Sequence, residues 1–424
     1  MVKVMYPKNK MIRLLRVAVL GVFSCVAIAP LVSQHAFAAK AAETQQVSAK
    51  VGKPLKKAQE LMAAKQWKEA LAKTKEVAAM KGKNPAEEAI INEMLAYCMM
   101  NLKDYSGAVS VYETMLAAGQ FKPEDVPKRV LTMSQIYFAL KNYPKSIQYG
   151  ERYLKDAGTD LEVLRQVAQA YFLQNDLAKT EVYTQRLIDT AKKQGKPVEE
   201  DWLKLLMSSQ HKQNKKVEVI ATLERLLASY PNDQYWSDMF TYLLQGSSFS
   251  DGENIIYLRL VQQANMLQPD EYIELAELSL AITNPGEAKA ILEEGFTKGV
   301  LGKGESKDRD LKLLAMARTQ AAEDLNSLPS IEKEAAAKPT GEALVKVGEA
   351  YLGHGKYENA IAAFTKGLAK GGIKNKDETN LNLGIAYLRL NKSAEAIQAF
   401  NAVPATSKLA LMSRLWVIQA GKKQ

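Results

Sequence analysis

The chain has 424 residues, enough for about two to four ordinary domains or one continuous repeat array. With 25% charged and 47% hydrophobic residues it is not wholesale disordered, and 24 Gly with 14 Pro exclude a collagen-like chain. The formal net charge is +10, but Lys3, Lys8, Lys10, Arg13 and Arg16 supply half of it. Removing them leaves 52 basic against 47 acidic residues, too mild an excess for a nucleic-acid binder of this size.

In chain order, the first feature is an export signal. Residues 1–16 are basic, residues 17–32 are apolar apart from Ser24 and Pro30, and Ala36-x-Ala38 follows. Basic, apolar and small-residue regions in that order predict a signal peptide over residues 1–38, cut after Ala38, and a periplasmic protein. The apolar run is about 16 residues, short of the roughly 20 that a spanning helix needs. Met11 opens a more typical leader than Met1. A lipoprotein signal at Cys25 fails, because Phe23 stands where a small residue is needed and the apolar run continues past the cysteine. Residues 39–52 read as a flexible segment.

From Lys53 onward, apolar residues recur at three and four, as in Leu55, Ala58, Leu61 and Met62. Turn material separates the helical stretches at residues 81–85, Gly119, 158–160, 195–197 and 230–232. No sustained alternation predicts a sheet. Three interruptions stand out, at residues 246–252, 299–310 and 338–341. The last leaves two readings open: a joint near 330–341, or one continuous superhelix with surface loops.

The clearest regularity is a repeat. Gly348 and Gly384, Tyr351 and Tyr387, Ala360 and Ala396, and Phe364 and Phe400 are each 36 residues apart. The small residue of this pattern can be followed upstream through Ala70, Ala108, Ser146, Thr180, Val219 and Ala288. The intervals from Ala70 to Ala396 are 38, 38, 34, 39, 69, 72 and 36. The two long ones are near twice 35, which predicts one degenerate repeat in each gap and about ten repeats in all.

The Leu-Gly-x-x-Tyr and Ala…Phe spacing resembles the tetratricopeptide repeat family, a helix–turn–helix unit of about 34 residues. That resemblance implies an all-α fold, a right-handed superhelical solenoid. Its parts would be an N-terminal array over residues 53–330, degenerate from about 235, and a C-terminal pair with a capping helix over residues 341–420.

Catalytic chemistry is poorly supplied. There is no GxSxG, phosphate loop or HExxH pattern. Beyond the leader the chain has one cysteine, Cys98, and two histidines, His211 and His354. Cys98 reads as a buried thiol, and Met94, Met99 and Met100 as core rather than a copper site. His354 reads as an exposed turn residue, and Gly299, Gly302 and Gly304 as a loop. Adjacent carboxylates such as Glu87-Glu88, Glu199-Glu200 and Glu293-Glu294 point apart on a helix and read as solvated faces. No enzymatic activity, metal or cofactor is expected.

Repeat solenoids work by surface. The resemblance places partner contacts on the first helix of each repeat. Carried over by position, these are Tyr97, Gln135, Phe138, Arg165, Gln169, Phe172, Lys204, Ser208 and His211. Rings, amides and cations together suit an extended or helical peptide, with some preference for acidic groups.

The expected function is a periplasmic scaffold or adaptor that holds a protein of the cell envelope in a groove. The exported chain, ending near Trp416 in degenerate repeats, is similar to repeat proteins that accompany bacterial TonB-type energy-transduction systems, which implies a partner there. The alternatives are an assembly factor for exopolysaccharide, pili or outer-membrane proteins and, further off, an enzyme or small-ligand receptor. Self-association through terminal repeats is a further expectation, with Leu411, Leu415, Trp416 and Ile418 as a cap or contact surface.

Overall fold

Three-and-four apolar spacing closes the chain into helices, and polar caps with left-handed turns cut them short. The computed structural model describes residues 47–245 and 249–422, so the predicted leader at 1–38 and residues 39–46 lie outside the described residues. Among the described residues there are twenty α-helices and no strand. The first ten are α1 (Ala49–Ala63), α2 (Trp67–Ala78), α3 (Pro85–Asn101), α4 (Tyr105–Ala117), α5 (Val126–Ala139), α6 (Tyr143–Asp156), α7 (Leu161–Leu173), α8 (Leu177–Lys193), α9 (Glu200–Lys212) and α10 (Lys216–Ser229). The remainder are α11 (Asp233–Leu244), α12 (Asp251–Gln263), α13 (Pro269–Ala281), α14 (Pro285–Thr297), α15 (Lys307–Ala337), α16 (Glu342–Gly353), α17 (Tyr357–Lys370), α18 (Lys376–Arg389), α19 (Ser393–Asn401) and α20 (Ala410–Ala420).

Consecutive helices fold back on one another as hairpins, and one turn geometry recurs. Lys65, Lys103, Lys141, Asn175, Asn214, Thr283, Gly355 and Asn391 have φ between 56° and 69°. Each stands five residues before a residue of the tracked small position, from Ala70 to Ala396. All eight of those small residues are 0–1% exposed. The left-handed residue reverses the chain, and the next N–H bonds back into the first helix, as Asp104 N does to Met99 O at 2.9 Å. Asp104, Asn142 and Asp176 then cap the second helix with their side chains.

The gap between Val219 and Ala288 holds the hairpin α11–α12, joined by an edge-to-face contact between Phe240 and Tyr257. The gap between Ala288 and Ala360 differs from expectation. It holds one 31-residue helix, α15, which contains Pro329 and buries Leu314, Ala317, Ala321, Leu328 and Ala335. Residues 330–337, where a joint is one of two readings the sequence leaves open, continue that helix.

The described chain forms two compact units divided between Thr222 and Leu223. This division differs from the predicted one near 330–341, because α12 is tied to α18 by hydrogen bonds from Arg259 to Asn382 and from Arg389 to Gln262. Contacts more than a hundred residues apart leave no local mark in a sequence.

In the first unit, α1 begins at Ala49, earlier than the predicted end of the flexible segment at 52. Val51 is buried, and Ser48 donates from N and Oγ to Glu87 Oε1 at 2.8 and 2.7 Å. Glu87 also closes the capping box of α3 with Asn84. It is therefore not the solvated carboxylate expected: it is 1% exposed, and hydrogen bonds from Asn84 and Ser48 hold its carboxyl below the usual range. Cys98 is buried, and that burial pushes its thiol up to about 11.

In the second unit, α20 packs against α19 and α12. Trp416 is fully buried and stacks on Phe400 with centroids 5.7 Å apart, while Leu415 is also fully buried. Both serve the core rather than an open contact surface. His354 is a second correction. Its side chain is 6% exposed, with Nε2 2.7 Å from Asp324 Oδ2, and its ring lies against Gly286. Gly299, Gly302 and Gly304 form a loop with positive φ, held by Gly302 N donating to Asp310 Oδ2 at 3.1 Å.

Candidate protein-binding face

The first unit presents the first helices of its hairpins side by side. α1 touches α3, α5 touches α7, and α7 touches α9. A row of first helices is the extended face that stacked hairpins offer to a partner.

All nine predicted contacts stand at one of three offsets from the small residue. Tyr97, Gln135, Gln169 and Ser208 stand eleven residues before it, Arg165 and Lys204 fifteen, and Phe138 and Phe172 eight. His211 shares the last offset and is exposed. Gln135, Phe138, Arg165, Gln169, Phe172 and Lys204 are half-buried, so each keeps part of its surface open to solvent.

The centre of the set lies on α7 and α9. Arg165 donates to Glu162 Oε2 from Nε at 3.0 Å and Nη2 at 2.7 Å, and from Nη1 to Gln169 Oε1 at 3.4 Å. Lys212 Nζ of α9 lies 4.3 Å from the Phe172 ring centroid of α7. Lys204 pairs with Asp201 at 3.2 Å. Both cations therefore already face carboxylates of their own helices. Such exposed pairs are worth about 0.2–1 kcal/mol, so a partner's carboxylate can exchange with them cheaply.

Two predicted residues are turned elsewhere. Tyr97 packs edge-to-face on Trp67 of α2, 5.5 Å between centroids at 78°. Ser208 is 7% exposed and offers a partner almost nothing. Phe138 shares its ring between solvent and Tyr143, 5.7 Å away.

Between the hairpins lies a ladder that sequence reasoning missed. Glu113 accepts from Lys145 Nζ at 2.7 Å and Tyr149 Oη at 3.0 Å, and Tyr149 stacks on Tyr137 at 5.7 Å. One repeat on, Glu151 accepts from Tyr171 Oη at 2.5 Å and Tyr183 Oη at 2.7 Å. Partial burial pushes Glu113 upward, but its hydrogen bonds from Lys145, Tyr137 and Tyr149 outweigh that and hold it below the usual carboxylate range. Burial and then the shared carboxylates push Tyr149 and Tyr183 up to about 12. These groups bond one another, so they staple repeats together. The 34-residue spacing of Tyr137 to Tyr171 and Tyr149 to Tyr183 was the available signal.

Two open depressions of about 800 and 440 Å³ mark the first unit. The larger lies over α8, around Val182, Arg186 and Asp189, and the smaller over Asp160, Glu162, Lys196 and Trp202. None of the nine predicted residues lines either. Among the described residues no group of three or more His, Cys, Asp or Glu is placed to hold a metal ion, and no helix is long and apolar enough to cross a membrane.

A family model described as tetratricopeptide repeat matches residues 341–409, the stretch of α16–α19. No curated protein matches the chain. Solved structures similar to it include Naa15/Naa10 bound to HypK-THB, at 16% identity and TM-score 0.37, covering 84% of this chain and 57% of that one. A tetratricopeptide repeat protein from Parabacteroides merdae is similar at 13% identity and TM-score 0.31, covering 79% and 98%. The TPR2AB domain of yeast Sti1 in its pHSP90 complex is similar at 12% identity and TM-score 0.25, covering 70% and 100%.

Proposed function

We propose that this protein is a non-catalytic scaffold that holds a segment of a partner protein along the first-helix face of its first unit. One observation carries the reading. On α5 and α7, the residues eleven and eight before each small residue are Gln135, Phe138, Gln169 and Phe172, a repeated amide-and-ring pair left partly open. Amides at a fixed repeat can bond the backbone of an extended chain, and rings beside them can take its side chains. Arg165 and Lys204 flank this row and favour acidic groups to the extent that Glu162 and Asp201 give way.

The predicted leader supports a periplasmic location, where the partner belongs to the cell envelope. The resemblance to repeat proteins that accompany TonB-type systems makes an energy-transduction component the first partner to test. An assembly role for exopolysaccharide, pili or outer-membrane proteins is the alternative on the same surface.

The test is Arg165→Glu combined with Lys204→Glu. The double variant should keep its far-ultraviolet circular dichroism and lose at least tenfold in affinity for a captured envelope partner. A folded double variant with unchanged affinity would sink the assignment of this face.

A further inference from the structure

The offsets that define the open face of the first unit give a closed face in the second. They select Val345, Glu349 and Leu352 before Ala360, and Leu381, Ile385 and Leu388 before Ala396. The five aliphatic side chains are 0–8% exposed. Their counterparts Gln135, Phe138, Arg165, Gln169 and Phe172 are half-buried.

Polar side chains of the same chain reach this face. Arg259 of α12 donates from Nη1 to Asn382 Oδ1 of α18 at 2.7 Å. Its Nε and Nη2 meet Glu287 of α14 at 2.5 and 2.6 Å. Arg389 of α18 reaches Gln262 of α12 at 3.4 Å. On the neighbouring repeat, Asn284 Nδ2 donates to the Glu349 carbonyl at 3.3 Å. Gly353 meets the start of α14 so closely that a Cβ there would lie 2.8 Å from Glu287 N. Thr283, strained at φ 59°, is the turn residue that brings Asn284 into this seam.

Residues 255–261 of α12 are all buried, although one of them is an arginine. Its anchors on α18 are polar and lie 123 residues away in sequence. Its ion pair with Glu287 joins α12 to α14 inside the segment, and its link to α18 is a hydrogen bond. An element held by such anchors, and joined to the rest at its ends, is a natural unit of sub-global opening.

We propose that the partner face of the C-terminal repeat pair is occupied in cis. Helices α12 to α14 are its ligand, Arg259 and Asn284 are the anchors, and this segment leaves the face as a unit while α16–α19 stay folded. Leaving frees Asn382, the Glu349 carbonyl and Glu378, whose carboxylate lies beside Gly252 of α12. That surface selects a helix carrying an arginine among aliphatic residues, as α12 does. The proposal rests on reading the first-helix face as the partner face, and its test needs no partner.

The experiment is native-state hydrogen exchange on the full chain, read by mass spectrometry at rising low denaturant. Amides of residues 251–297 should exchange through an opening at least tenfold more frequent than the one that exposes residues 357–370 and 393–401. Gly353→Ala, which wedges the seam, should raise exchange in 251–297 at least another tenfold and leave α17 and α19 unchanged. A synthetic peptide of residues 249–265 should then bind the variant and not the wild type. One common opening for the whole second unit in the wild type overturns the proposal, whether or not the variant folds. So does a folded Gly353→Ala chain with unaltered exchange.

Discussion

Gly384→Ala tests how closely the helices of a repeat are seated. A Cβ at Gly384 of α18 would lie 2.5 Å from Phe400 Cδ1 and 2.8 Å from Phe400 Cζ of α19. Ordinary contact begins about an ångström further out, so the ring must move. It has nowhere to go, because Phe400 is fully buried and stacked on Trp416. Overpacking of this kind costs about 1–3 kcal/mol. Alanine's better helix propensity returns about 1 kcal/mol. The net loss should be about 0–2 kcal/mol, which for a unit of roughly 150–250 residues lowers Tm by up to about 8 °C. Gly52→Ala is the control, since its Cβ would meet only Val47 Cγ1 at an ordinary 3.5 Å. It should stabilise by about 0.5–1 kcal/mol. Urea and thermal denaturation followed at 222 nm would measure both. If Gly384→Ala stabilised the protein as Gly52→Ala does, α18 and α19 would not be packed at this distance, and the reasoning would be refuted.

Three further outcomes are expected. Thr283→Asn should stabilise by about 1 kcal/mol, because asparagine tolerates the left-handed turn that strains a β-branched residue; a lower urea midpoint would contradict this. Glu113 has its carboxyl held below the usual range, so its contribution is present above the unfolded-state pKa and is lost as pH falls through the folded-state value. Wild type should therefore lose more stability than Glu113→Gln between pH 7 and pH 3, and equal losses in denaturation midpoints would show that the Lys145 and tyrosine contacts do not matter. Cys98, buried and with its thiol raised to about 11, should resist alkylation at pH 8 until urea unfolds the first unit; peptide mapping that finds Cys98 modified in the native protein would place it at the surface.

Much of the fold was legible because it repeats. The eight small residues from Ala70 to Ala396 can be found by spacing alone, and each proves to be buried. The turns five residues earlier were less visible. Three of them are lysines, which carry no turn signal of their own and are left-handed only because the hairpin requires it. The stretch from Ala288 to Ala360 was misread because its length fits two repeats, while α15 runs through with Pro329 inside it. Glu87 and His354 looked exposed because the partners that hold them, Ser48 and Asp324, lie 39 and 30 residues away. The candidate face was legible as positions but not as contacts. Spacing gave Gln135, Gln169 and Phe172, yet only the structure turns Tyr97 onto Trp67 and withdraws Ser208.

The central claim is that the first-helix face of the first unit holds a partner protein. Its most direct test is a photo-crosslinking residue placed at Gln135, Gln169 or Phe172, with Val182 as the comparison. Val182 is 63% exposed on α8, a second helix. After irradiation in the native envelope, adduct masses are mapped by peptide. The account predicts one shared partner peptide from the three face positions and none from Val182. Adducts from Val182 alone, or adducts only to another copy of this chain, would contradict it.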